Sequence, residues 1–134
     1  MQFEAQRRFE AYAEAHDSRA ASKMAANALG ARANSLTDLG RYDEAARAYL
    51  EAIRQSEKLG YQRGVAVGNG QLATLRMLQG EFDAAIAAFA EARRIFGPFQ
   101  LNEPLSLATA WHQTGNAQLQ ADRPEEAEAA YREA

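Results

Sequence analysis

Apolar positions along this chain fall into one pattern written several times. Gly40, Tyr42, Ala45, Tyr49 and Ala52 recur forty residues later as Gly80, Phe82, Ala85, Phe89 and Ala92. The same interval carried backwards reaches Ala5, Phe9 and Tyr12; carried forwards with two extra residues, it reaches Ala127, Tyr131 and Ala134. A small residue, an aromatic four positions on and a small residue three further share one face of an α-helix. No stretch alternates with period two, so no strand is expected. Breaks at Asp17-Ser18, Gly40-Arg41, Gly60-Tyr61, Gly80-Glu81, 97–104 and 122–124 predict seven helices over 2–16, 18–39, 42–59, 62–79, 82–96, 104–121 and 124–134. Pro104 and Pro124 fall in first turns, where proline is tolerated. The loop 97–103 takes up the two extra residues.

A helical hairpin copied at this interval predicts stacking of like on like. The expected fold is therefore all-α, a solenoid of about seven antiparallel helices, with a half repeat at 1–17 and repeats at 18–60, 61–101 and 102–134. The helices 2–16 and 124–134 each hold only part of a hairpin, which leads to the expectation that the chain is a piece of a longer array.

Helical projection separates an inward arc from an outward one on the first helix of each hairpin. On 18–39, Leu29, Ala33 and Leu36 cluster inward, and Asn27, Asn34 and Thr37 lie on the far side. On 104–121, Leu107, Trp111 and Gly115 form the packed arc, while Thr109, His112, Gln113, Asn116 and Gln120 face away. The middle hairpin differs: opposite Val65 and Leu72 stand Val67, Gly70, Thr74 and Met77, small or apolar. The aromatics Tyr42, Tyr49, Phe82, Phe89 and Tyr131 repeat with the packing interval, which makes them core anchors.

These residues resemble the tetratricopeptide repeat, whose pattern is W-x2-L-G-x2-Y, then A-x3-F, then P. Trp111, Thr114-Gly115, Gln118, Ala127 and Tyr131 follow it best, and the second half recurs as Ala5/Phe9, Ala45/Tyr49, Ala85/Phe89 and Ala127/Tyr131. The first half is degenerate, with Asn69 and Arg76 where aromatics are expected. The long interval, and the phrase from Leu39 to Ala45, are similar to the extended repeats of kinesin light chains, Pins-type adaptors and bacterial signalling regulators. The resemblance implies an α–α superhelix whose first helices line a concave groove, and a protein-binding function. The groove so implied is lined by Asn27, Asn34, Thr37, Val67, Gly70, Thr74, Met77, Thr109, His112, Gln113 and Asn116. Its amides either grip a peptide backbone, which an amide does as donor and acceptor at once, or are simply solvated. The family's clamp for a C-terminal carboxylate needs lysine beside asparagine, and none accompanies Asn34 or Asn116.

Charge and composition narrow the function further. A formal net charge of −3 offers no basic stripe for nucleic acid. No apolar stretch approaches a bilayer span, so no membrane partner is expected and the cytoplasm is the expected location. Cysteine is absent, and His16 and His112, the two histidines, sit on different hairpins without an acidic or histidine partner one turn on. That leaves no visible catalytic, metal or cofactor apparatus. Gly64-Val65-Ala66-Val67-Gly68-Asn69-Gly70 follows no strand and lacks the lysine of a phosphate loop; close helix approach through Gly64 and Gly68 explains it better. Glu125, Glu126 and Glu128 sit in first turns, where they favour the helix dipole.

The expected function is a non-enzymatic module that holds a peptide or partner helix in its groove. The alternatives are a peptide-sensing regulatory domain of a larger bacterial transcription or signalling protein, and a structural oligomerisation segment. The expected state is a monomer, or a weak homo-oligomer through the end helices.

Overall fold

The computed structural model describes residues 2–134, with side chains from Glu4 onward; Met1, which opens the predicted half repeat, lies outside the described residues. Six helices follow one another: α1 (Gln2–Asp38), α2 (Tyr42–Leu59), α3 (Gln62–Leu78), α4 (Phe82–Phe96), α5 (Pro104–Gln120) and α6 (Pro124–Glu133). No strand occurs among the described residues.

The hairpin turns are built three times in the same way. The N–H of Gly40 donates to Thr37 O at 2.9 Å and that of Arg41 to Leu36 O at 2.9 Å. Gly80 and Glu81 repeat the two bonds, and so do Asp122 and Arg123. These paired bonds satisfy carbonyls that a helix end leaves open, and they need a left-handed residue at the turn. Gly40 and Gly80 take φ of 76°, and Asp122 takes 62°; a short polar side chain tolerates that region better than most.

Extensive packing joins each helix to the next and, among the described residues, only α1 to α3 beyond that. Nearest-neighbour packing of this kind is an open stack, not a bundle closed on itself. The odd-numbered helices form one layer and the even-numbered helices the other. The repeated face is the seam between them: Ala45, Tyr49 and Ala52 are buried, as are Ala85, Phe89 and Ala92, and so is Ala127. Ala33, Leu36, Tyr49, Ile53, Leu72 and Leu75 share the first core cluster. Ala73, Ala85, Phe89 and Ala117 share another. Gly68 permits a close approach of α2 to α3: a Cβ placed on it would stand 2.7 Å from Ile53 Cγ1. Gly64 has the same role, with Ser56 Oγ at 2.6 Å from its Cβ position.

Six helices stand where the sequence predicts about seven, because the break expected at Asp17-Ser18 does not occur. α1 runs through it for 37 residues. The forty-residue interval supplies the reason. Position 20 corresponds to Gly60, which ends α2 at φ 64°, but it is alanine. A left-handed alanine costs roughly 1–2 kcal/mol, and alanine is also the best helix former. The N-cap character of Asp17-Ser18 is therefore outweighed by Ala20-Ala21. Consequently Phe9 and Tyr12, whose counterparts are buried in α2 and α4, are 73% and 61% exposed.

Candidate functional site: a cleft between α3 and α5

A cleft of about 310 Å³ opens on the odd-numbered layer between α3 and α5. Val67, Gly70, Gln71 and Thr74 form one wall, and Ser106, Thr109, Ala110 and Gln113 the other. Phe89, Ala92 and Phe96 of α4 lie beneath. No charged side chain is among its lining residues. Gly70 widens the cleft, since a Cβ built there meets nothing within 4 Å. A smaller recess of about 80 Å³ between α1 and α3, lined by Asn27, Gly30, Val67 and Gln71 among others, adjoins it through Val67 and Gln71.

Five of the residues expected to form the groove thus line the cleft: Val67, Gly70, Thr74, Thr109 and Gln113. Asn27 lines the adjoining recess. The remaining five are engaged or set apart. Met77 packs against the buried cluster of Ala73, Ala85 and Phe89. His112 is exposed and tilts against the Tyr131 ring, with centroids 5.3 Å apart. Asn34 accepts a short hydrogen bond from the Tyr49 hydroxyl. Asn116 accepts one from the Tyr131 hydroxyl at 2.6 Å and donates to Gln113 Oε1 at 3.4 Å. The Thr37 hydroxyl donates to Ala33 O at 2.9 Å.

The threonines of the cleft behave alike. Thr74 donates to Gly70 O at 3.1 Å and Thr109 to Leu105 O at 2.9 Å. A hydroxyl that donates to a carbonyl one turn back along its own helix has no donor left for a ligand. What these walls offer a ligand is therefore methyl groups, acceptor lone pairs and the Gln71 and Gln113 amides.

The Asn–Tyr bonds were legible, though not from face geometry alone. Asn34 precedes Tyr49 by fifteen residues and Asn116 precedes Tyr131 by fifteen. At the corresponding middle positions stand Thr74 and Phe89. Where the anchor carries a hydroxyl, an amide waits for it; where the anchor is phenylalanine, the amide is replaced. We expect a double-mutant cycle of Asn116→Ala and Tyr131→Phe, read by urea unfolding, to give a coupling of about 1 kcal/mol. Additive effects would show that the bond contributes nothing to stability.

Two ion pairs tie one hairpin to the next. Arg63 meets Glu103 at 3.3 Å between the starts of α3 and α5, and Arg123 meets Asp83 at 2.6 Å. Arg93 is different, with its guanidinium 4.0 Å over the Trp111 ring and donating to Thr114 Oγ1 at 2.5 Å. Burial lowers its pKa from the ordinary arginine value. It occupies the position of Ile53 one repeat earlier, so a stacked cation does the packing that an aliphatic side chain does there.

A larger trough of about 630 Å³ crosses the even-numbered layer between α2 and α4. Glu57, Glu91 and Arg94 are among its lining residues, and Arg94 already pairs with Glu91 at 2.6 Å, holding that carboxyl below its usual range. No three metal-ligating side chains gather among the described residues. None of the described helices is long and apolar enough to cross a membrane.

Comparison with known proteins agrees with this architecture. No curated protein matches the chain. Among solved structures, BtubC (BKLC) from P. vanneervenii superposes with a TM-score of 0.65 at 22% identity, over 81% of this chain and 46% of that one. The present chain thus spans less than half of that protein, and the likeness is one of fold. The family model for the tetratricopeptide repeat matches residues 24–97, more than half of the sequence, and the chain belongs to the tetratricopeptide repeat family.

Proposed function

We propose that this chain is a non-enzymatic recognition module whose cleft between α3 and α5 takes an uncharged, apolar-rich segment of a partner protein. Tetratricopeptide repeats are generally protein-interaction modules, which supports the class. The observation that carries the specific reading is the chemistry of the cleft. It has an apolar floor of Phe89, Ala92 and Phe96, walls without a charge, and free approach over Gly70. An acidic or basic segment entering there would lose hydration with no counter-charge to replace it. An apolar side chain would gain by burial, and Gln71 and Gln113 could bond the backbone that carries it. Recognition on this reading is an equilibrium event, with no bond made or broken.

The test is a selection of random peptides displayed on phage against the intact chain, followed by binding measurements on the enriched peptides. Enrichment of peptides of low charge with a large apolar residue, whose binding is lost when the cleft is filled, supports the reading. Enrichment of strongly charged peptides, or of none, rejects it.

A further inference from the structure

The recess between α1 and α3 is the cleft's own counterpart one repeat earlier. Asn27, Gly30, Ala52 and Ser56 line the recess. Forty residues on stand Val67, Gly70, Ala92 and Phe96, which line the cleft. Gln71 lines both, and its own counterpart, with the two extra residues of the loop 97–103, is Gln113 on the far wall of the cleft. One site is thus built twice, on either side of α3.

The two copies differ in size and in chemistry. The cleft holds about 310 Å³ over a floor that includes two phenylalanines. The recess holds about 80 Å³; a water takes about 30 Å³ of liquid, so only a small side chain fits. Its walls stand closer: a Cβ on Gly30 would meet Gln71 Oε1 at 3.4 Å, whereas one on Gly70 meets nothing within 4 Å. Beneath it Ser56 takes the place of the Phe96 ring. A large apolar group suits one copy and a small or hydroxylated one the other.

Spacing and lining then restrict the chain that could fill both. Packed helices lie about 8–10 Å apart, so sites on either side of α3 are about one such width apart. Same-side residues of a strand, two apart, span only about 7 Å. Three residues of polyproline II rise about 9.3 Å and return to the same side; seven residues of an α-helix rise about 10.5 Å. The amides decide between these two. Gln71 stands between the sites, with Asn27 beyond it on one side and Gln113 on the other. A polyproline II backbone has every N–H and C=O open to such amides, whereas a helix interior has already paired them. Charge complementarity selects a neutral segment. No charged side chain lines the cleft, and Arg63, the charged residue lining the recess, pairs with Glu103.

We propose that the partner segment crosses α3 in polyproline II form, with a large apolar side chain in the cleft. Three residues away, alanine, serine or threonine occupies the recess. This rests on the reading that the cleft binds a partner segment.

The test is a leucine scan of a phage-selected peptide, synthesised with each position replaced in turn. Leucine three residues from the apolar anchor, on one side of it, should weaken binding at least about 10-fold. Leucine at the two positions between should cost far less. Asn27→Phe, at an exposed position of α1, fills the recess and should weaken the parent peptide by a similar factor. A peptide shortened to lose the small residue should bind that variant and the parent chain alike. A sensitive position two, four or seven residues from the anchor, or none at all, overturns the proposal; so does indifference of the full peptide to Asn27→Phe. If binding is still lost in Gly70→Leu, which fills the cleft, those results leave the cleft reading standing. Indifference to Gly70→Leu as well, or a selection that yields no peptide, rejects both. Should Asn27→Phe unfold the chain, the scan on the parent decides alone.

Discussion

Gly70→Leu should weaken binding of cleft-selected peptides at least about 30-fold, the equivalent of about 2 kcal/mol at an interface hot spot. The residue sits on α3 at the cleft wall with open space where a Cβ would be. A leucine there fills the cleft that the partner's side chain would occupy, without displacing a core atom. Folding should move the opposite way. Leucine is a better helix former than glycine by nearly 1 kcal/mol, so the melting temperature should hold or rise by ~2–8 °C. This opposition gives the variant its value, because most substitutions that damage binding also damage the fold. Unchanged affinity in a variant with intact melting would remove the cleft assignment.

Phe89→Ala should be the most destabilising single truncation in the cleft, by about 3–5 kcal/mol. Phe89 is 3% exposed, packs with Ala73, Ala85 and Ala117, and also lies beneath the cleft. Three of its neighbours are alanines, which have no longer side chains to swing into the vacated space, so the cavity stays open. Against a total stability of about 5–15 kcal/mol for a domain, thermal unfolding should fall by about 10 °C or more. A loss under 1 kcal/mol by urea titration would mean that α3, α4 and α5 are not joined through this ring.

The same ring shows why the stack could be read from the sequence. Ala85 and Phe89 repeat Ala45 and Tyr49 at a fixed interval, and a repeated apolar face has to be buried against a repeated partner. The left-handed turns at Gly40 and Gly80 punctuate the text, so their helices begin and end within about a residue of expectation. The failure at Asp17-Ser18 has the complementary cause. Asp17 and Ser18 favour starting a helix, whereas continuation is decided by Ala20, a residue conspicuous only beside Gly60.

The cleft was legible in part for similar reasons. Val67, Gly70 and Thr74 stand out as a small, apolar outward face, and such a face needs only the helix period to be located. The same period places Asn34 and Asn116 outward, and Asn34 is exposed. Yet each amide is bonded to a tyrosine hydroxyl from the next helix. Projection on one helix cannot show what an adjacent helix brings up to its flank. The fifteen-residue spacing and the Tyr–Phe–Tyr variation along the repeats carried that information.

Amide hydrogen exchange on the chain saturated with a phage-selected peptide tests the central claim most directly. Slowed exchange is expected along α3 from Val67 to Thr74 and along α5 from Thr109 to Gln113, with the α2–α4 trough around Leu50, Glu57 and Glu91 unaffected. Protection confined to that trough, with both cleft walls exchanging as in the free chain, would contradict the account.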